Sequence, residues 1–109
     1  MTRYNILIER GAEQDLEDIV TYIAERESVD RAIEVASKIE GIIAGLAAYP
    51  NRGAYPRELL DYGNRDFRQV YFKPYRIIYR VLDKEVVVVL VADGRRDMHA
   101  LLARRLLAD

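Results

Sequence analysis

The chain has 109 residues, of which 50% are hydrophobic and 32% are charged, with a formal net charge of −1. These values are typical of one globular domain with a modest core, so we treat residues 1–109 as a single domain. The lack of cysteine excludes disulfides, thiolate zinc sites and cysteine nucleophiles. No apolar run approaches the roughly 20 residues that cross a bilayer, and no signal-peptide pattern is present. We therefore expect a cytoplasmic protein with no membrane partner.

The two halves of the chain differ in charge. Residues 1–50 contain five Lys/Arg and ten Asp/Glu, whereas residues 51–109 contain twelve and eight. A partner that bears phosphates or carboxylates is expected to meet the basic second half. A difference of this size can also arise between two halves of a small protein without a functional cause.

The first half predicts one strand followed by two helices. The strand covers residues 3–9, and apolar residues then recur at helical spacing over 12–27 and again over 31–48. Ser28 or Asp30 can cap the second helix. Because the break between the helices is short, they are predicted to form an antiparallel hairpin.

Three glycines interrupt these elements. Gly11 is predicted to end the first strand. Gly41 and Gly45 lie four residues apart inside the second helix, where each costs about 1 kcal/mol relative to alanine. We expect close approach to another element to compensate for this cost.

The second half predicts a loop over 49–56, one turn of helix within 57–62, and strands over 65–72, 75–82 and 85–92. The turn dipeptides Lys73-Pro74 and Asp83-Lys84 separate the three strands. The last strand is apolar without alternation, which is typical of a central strand buried on both faces.

A short amphipathic helix is predicted at the C-terminal end, where Asp97 acts as its cap and Met98, Leu101, Leu102 and Leu106 form its apolar stripe. The element order is therefore β-α-α-β-β-β-α. This order predicts an α+β fold, in which an antiparallel helical hairpin packs on a mainly antiparallel four-stranded sheet.

Two arginines stand out near the ends of the last two strands. Antiparallel neighbours joined by a short turn should bring Arg76 and Arg96 close together. Paired guanidiniums suit the recognition of phosphate or carboxylate. The alternative is structural, with Arg76 paired to Asp93 or Asp97 and Arg96 simply solvated.

Several segments, in the same order along nearly the whole chain, resemble the RelE/ParE toxin superfamily. The matching segments are Ala12, Asp15-Leu16, Ile19 and Tyr22-Ile23-Ala24; Ile43, Leu46, Pro50, Gly53 and Glu58-Leu59; Tyr75 to Tyr79; and Val91 through Arg95-Arg96-Asp97 to Leu102 and Arg105-Leu106. The superfamily fold is a helical hairpin on a twisted antiparallel sheet, which agrees with the element order predicted independently.

The resemblance implies the toxin of a bacterial type II toxin–antitoxin pair, neutralised by direct binding of its cognate antitoxin. One branch of the superfamily consists of ribosome-dependent endoribonucleases that cut mRNA. The other consists of inhibitors of DNA gyrase with no recognised catalytic chemistry of their own. The resemblance suggests no metal or organic cofactor in either branch.

The ribonuclease branch needs groups that move protons and stabilise the charge on the phosphorus. Arg76 and Arg96 fall on its two arginine positions and are the catalytic candidates if the chain is a ribonuclease. Arg68 and His99 are weaker candidates, although a near-neutral pKa would suit His99 for proton transfer.

Other positions depart from the ribonuclease pattern. The positions of its lysines correspond to Phe67 and Gln69, and that of its C-terminal tyrosine to Leu102. The long hairpin and the C-terminal run resemble the gyrase-directed branch more closely, so gyrase inhibition is the favoured hypothesis. The expected contacts with the target or the antitoxin are then Arg95, Arg96, Met98, Leu102 and Arg105. An inactive toxin that only binds its antitoxin is a third alternative.

Overall fold

The structure, a computed structural model, describes residues 3–107 and contains one sheet with helices on both of its faces. The elements in chain order are β1 (Asn5–Ile8), α1 (Arg10–Arg26), α2 (Val29–Gly45), α3 (Arg57–Leu60), β2 (Arg68–Phe72), β3 (Tyr75–Leu82), β4 (Glu85–Asp93) and α4 (Met98–Leu102), which continues into a π-helical turn over Ala103–Leu107. None of the helices in this part of the chain is long and apolar enough to cross a membrane.

The sheet has the strand order β1-β4-β3-β2. Strands β2, β3 and β4 are antiparallel neighbours, whereas β1 lies parallel to β4, with Asn5 opposite Glu85 and Ile8 opposite Val88. The helical hairpin between β1 and β2 is long enough to permit this parallel contact. The predicted α+β class and the mainly antiparallel sheet are confirmed.

Two apolar cores cover the two faces of the sheet. The larger one packs α1 and α2 against residues such as Ile77, Tyr79 and Val88. The smaller one packs α3, α4 and the π-helical turn against residues such as Ile78 and Leu90. Strand β4 is therefore buried on both faces, as its apolar run predicts, and each of its fully buried valines contributes about 1.5–3 kcal/mol.

The region around Gly11 corrects the predicted end of the first strand. Gly11 lies in the first turn of α1 rather than at the end of β1. A Cβ atom at this position would lie 2.9 Å from Nη2 of Arg105. The glycine therefore makes room for a guanidinium that comes from the far end of the chain, which local sequence patterns do not reveal.

Helix α2 is capped by Ser28, whose Oγ accepts a hydrogen bond from the Arg31 amide at 3.0 Å. The helix ends at Gly45, three residues earlier than predicted. The expected close approach at Gly41 is wrong, since an added Cβ there would meet nothing within 4 Å. At Gly45 the nearest neighbour is the end of the Arg52 side chain, at 3.9 Å.

The loop before α3 is fixed to the sheet by Tyr79. The buried Tyr79 hydroxyl donates to the Pro50 carbonyl at 2.7 Å and accepts from the Gly53 amide at 3.0 Å. A Cβ at Gly53 would lie 2.7 Å from both the Gln69 carbonyl and the Tyr79 hydroxyl. Tyr79 thus packs in the core and also holds the loop by its polar end.

Strand β2 begins at Arg68, three residues later than predicted. The preceding segment turns because the Asn64 side chain accepts from the Asp66 amide at 2.8 Å, and Gly63 adopts a φ of +72°. Glycine, asparagine and aspartate residues favour turns over strands, which explains the later start of β2.

The contrast between Gly41 and Gly53 predicts opposite effects of alanine. Gly41→Ala is expected to raise the free energy of unfolding by about 0.5–1 kcal/mol, because it adds helix propensity in open space. Gly53→Ala is expected to destabilise the fold, because its Cβ meets backbone. Urea denaturation of both variants measures these changes in the free energy of unfolding. A Gly41→Ala variant that is less stable than the parent would contradict the open environment of Gly41.

Candidate functional site

The most highly connected polar group of the sheet is the guanidinium of Arg76, which is 7% exposed on β3. Its two terminal nitrogens donate to the Glu58 carboxylate, each at 2.8 Å. Its Nε donates to the Gln69 side-chain oxygen at 2.8 Å, and Nη2 contacts the same oxygen. Arg76 therefore pairs with α3 and β2, and the alternative partners Asp93 and Asp97 are wrong.

The side chains of Glu58 and Arg76 form an ion pair in which each group favours the charged form of the other. The hydrogen bond from Arg76 lowers the pKa of Glu58 from its ordinary 4.5 to about 2, although burial acts in the opposite direction. The same hydrogen bond raises the pKa of Arg76. Both groups are thus charged at neutral pH, and the carboxylate offsets the positive potential that the guanidinium would otherwise present to a phosphate.

A cavity of about 520 Å³ opens beside the pair and is lined by Tyr55, Arg57, Gln69 and Tyr71, among others. The Gln69 amide donates to the Tyr71 hydroxyl at 2.9 Å, so the amide links the tyrosine to the ion pair. No cluster of three or more potential metal ligands occurs within residues 3–107. The cavity is polar, but its central cation is already paired.

Arg68, a weaker candidate for catalysis, has a structural environment. Its Nη1 donates to the Gly53 carbonyl at 2.8 Å, and its Nη2 donates to the Tyr55 hydroxyl at 3.1 Å. The guanidinium also lies 4.5 Å from the centroid of the Tyr55 ring. These contacts hold the loop that precedes α3.

The two arginines after β4 differ in their environments. Arg95 pairs with Asp93 and its side chain is 78% exposed. The guanidinium of Arg96, also exposed, makes no hydrogen bond or ion pair to any other residue within 3–107. Arg96 lines a second cavity, of about 430 Å³, between α1 and the end of β4.

Arg76 and Arg96 therefore line different cavities. The strand order places them at the same end of the sheet, as predicted, but the expected pairing of their side chains does not form. Arg76 lies over the face covered by α3, whereas the loop that carries Arg96 turns toward α1. The alternation of side chains along a strand fixes the face of Arg76, and no equivalent rule fixes a loop residue.

The remaining candidates lie in three settings. Met98 and Leu102 are buried in the smaller core, so in this structure they pack against the sheet and present no surface to a partner. His99 is exposed, and its Nε2 lies 3.3 Å from the Asp61 carboxylate. Arg105 is half-buried and paired with Asp15.

The Asp15–Arg105 pair joins distant parts of the chain. The Asp15 oxygens accept from Arg105 at 3.1 and 3.0 Å, and Oδ2 also accepts from the Val91 amide at 3.0 Å. Arg105 Nη2 further donates to the Val89 carbonyl at 3.2 Å. Arg105 thus fastens the π-helical turn to α1 and β4.

Sequence reasoning missed Glu58 and Asp15 as partners of these arginines. Both had entered only as parts of the superfamily resemblance. Each is an acidic residue in a predicted helix, where solvent exposure is the usual outcome, and their partners are 18 and 90 residues away. A search for arginine positions with a carboxylate on a neighbouring element could have found them.

Comparison with known proteins identifies the family. The family model described as the ParE toxin of the type II toxin–antitoxin system parDE matches residues 6–98. The chain belongs to the ParE toxin family. It is 29% identical over 96 residues to toxin ParE3 of Caulobacter vibrioides, covering 88% of this chain and 92% of that protein. The chain is thus a toxin of the type II toxin–antitoxin class.

Solved structures of related toxins share the fold. A chain of the chromosomal ParDE system of P. aeruginosa matches with a TM-score of 0.69 and 18% identity, covering 84% of this chain and 96% of that one. A mutant of E. coli toxin RelE in the free state matches with a TM-score of 0.65 and 14% identity, covering 98% of this chain and 100% of that one. A chain of the RelBE2 toxin–antitoxin complex of Mycobacterium tuberculosis matches with a TM-score of 0.54 and 21% identity, covering 85% of this chain and 93% of that one.

The Glu58–Arg76 pair predicts a specific dependence of stability on pH. The pKa of Glu58 is depressed in the fold, so its contribution is fully present above the ordinary pKa of 4.5 and is lost as the pH falls toward about 2. Glu58→Gln should be less stable than the parent at neutral pH, and the difference should shrink at about pH 3.

Urea denaturation at both pH values measures this difference, and Asp66→Asn, an exposed acidic position, is the matched control. Glu58→Ala should cost more, about 3–5 kcal/mol, because it leaves a buried guanidinium unpaired. A Glu58→Gln variant with the same pH profile as the parent would contradict the ion pair.

Proposed function

We propose that this ParE-family toxin arrests growth by inhibiting DNA gyrase and is neutralised by direct binding of its cognate antitoxin. A target of this kind is located in the cytoplasm, in agreement with the expectation from the sequence. The proposal assigns the chain no catalytic step of its own. Its toxicity then depends on the surface it presents to another protein.

The ion pair of Arg76 is the observation that carries this choice. A ribonuclease would use this guanidinium to stabilise charge that develops on the phosphorus, which requires a cation able to turn toward the substrate. Here both terminal nitrogens are held by Glu58 and Nε by Gln69. A carboxylate beside the guanidinium would also repel the phosphate of an RNA strand.

The charge of the whole chain also favours a protein target over RNA. Phosphate contacts dominate the affinity of proteins for RNA, and proteins that depend on them are usually strongly basic. This chain has a net charge of −1 and a pI of about 5.9. A protein target makes no such demand.

The relatives support both parts of the proposal. The matching family model and the C. vibrioides relative carry the ParE name, which is that of the branch favoured by the C-terminal pattern. The P. aeruginosa and M. tuberculosis structures are described as a ParDE system and a RelBE2 toxin–antitoxin complex. An antitoxin partner for this chain follows by analogy.

Purified toxin is expected to inhibit supercoiling by gyrase and to increase the amount of cleaved DNA. In cells that express the toxin without its antitoxin, pulse-labelled protein synthesis should continue while DNA damage accumulates. Rapid loss of labelling with codon-positioned cuts in mRNA would instead establish the alternative, a ribosome-dependent endoribonuclease. Unimpaired growth would indicate an inactive toxin.

A double variant separates the structural role of Arg76 from a chemical one. Glu58→Leu/Arg76→Met replaces the ion pair with apolar groups of similar size, a change that is often neutral for stability. This variant is expected to fold, by circular dichroism, and to inhibit gyrase as the parent does. A folded variant that has lost toxicity would contradict the proposal and favour catalysis by Arg76.

A further inference from the structure

The cleft between α1 and the end of β4 has walls of opposite charge. One wall carries Asp18 of α1 and Glu27 directly after that helix, and the other wall carries Arg96 on the loop after β4. The floor between them is apolar and includes Ile19 and Ile23. A volume of about 430 Å³ accommodates a few side chains of a partner.

Most other charges in the cleft are already neutralised within the chain. Asp93 is paired with Arg95, and Asp15 is paired with Arg105. Arg96 has no such partner among residues 3–107, so its guanidinium can donate hydrogen bonds to an acidic group from outside.

The opposite wall keeps its negative charge. Within residues 3–107, the hydrogen bond that Asp18 accepts comes from the neutral Gln14 amide, and Asp18 forms no ion pair there. Glu27 lies 4.0 Å from Arg31, in an exposed pair of the kind that contributes little. One wall is therefore positive and the other negative.

This arrangement selects against nucleic acid. A phosphate bound to Arg96 would lie across the cleft from two carboxylates, and its neighbouring phosphates would meet the same repulsion. A protein segment can instead place an acidic side chain on one wall and a basic one on the other, with apolar side chains between them. Complementary charge of this kind fixes the orientation and register of a bound segment.

Aromatic side chains at the mouth strengthen the case for a protein partner. Tyr22 of α1 is 57% exposed and Tyr75 is partly buried beside it. Exposed tyrosines next to an apolar floor are typical of the anchoring regions of protein interfaces.

We propose that this cleft holds a segment of the toxin's protein target, with an acidic side chain on Arg96, a basic one on Asp18 or Glu27, and an apolar one against Ile19 and Ile23. The assignment rests on the proposed function, in which the target is gyrase. It also selects Arg96 from the five contact candidates, because the other four are engaged within the chain.

The test is inhibition of purified gyrase by charge-reversal variants. Arg96→Glu is expected to raise the toxin concentration for half-maximal inhibition by roughly 10-fold or more. The control is Arg104→Glu, which changes an exposed arginine outside the cleft and alters the net charge equally. It should shift the toxin concentration for half-maximal inhibition by less than about 2-fold. On the other wall, Glu27→Lys should weaken inhibition, whereas its exposed neighbour Glu25→Lys should not.

The outcomes separate the cleft from the proposed function. Circular dichroism verifies that each variant is folded, and binding of the purified cognate antitoxin is measured separately. If the parent inhibits gyrase and both cleft variants do so equally well, the cleft proposal is wrong and the function stands. If Arg96→Glu loses antitoxin binding but keeps gyrase inhibition, the cleft belongs to the antitoxin and the proposal is also wrong. A parent chain that leaves gyrase unaffected would overturn both.

Discussion

The carboxylate of Asp15 is the contact on which the arrangement of this small domain depends. Strand β1 pairs with β4 as far as Val88, and beyond that point no strand formed by residues 3–107 lies on this side of β4. Asp15 accepts the Val91 amide and Arg105 donates to the Val89 carbonyl. Two side chains thus satisfy backbone groups that would otherwise form an open sheet edge, which is a site for unwanted pairing.

A bulge in β4 lies beside this contact. Val89 is an extra residue between the partners of Ile78 and Tyr79, so β4 contains a bulge next to β3. A bulge increases twist and bends the strand. Arg105 donates to the carbonyl of the bulged residue Val89, and Asp15 accepts the amide of Val91. Gly11 completes the arrangement, because a Cβ there would lie 2.9 Å from Nη2 of Arg105, and the guanidinium would have to shift.

The elements were predictable from the sequence to the extent that local chemistry determines them. Apolar periodicity located both long helices, and β-branched or alternating runs bounded by turn residues located the three C-terminal strands. Asp97 caps its helix as predicted, and Ser28, one of the two predicted alternatives, caps α2, since a side-chain oxygen three residues before a free amide is a local feature. The boundaries that failed, at Gly11 and Gly45 and before Arg68, depend on tertiary contacts or on turn geometry.

The site was less predictable, because its decisive partners are distant in sequence. Arg76 was singled out from the sequence, but whether it is a free cation or half of an ion pair depends on Glu58, which reaches it from a one-turn helix. A buried guanidinium must be paired, since an unpaired one costs several kcal/mol. If the burial of Arg76 were known from the sequence, a carboxylate partner for it could be predicted. Amphipathic patterns predict the burial of apolar residues well and that of arginine poorly. Arg96, the second arginine singled out, is exposed on a loop, and its side chain makes no ion pair within residues 3–107. In the proposal made above, this difference in burial separates a structural cation from one that can bind a partner.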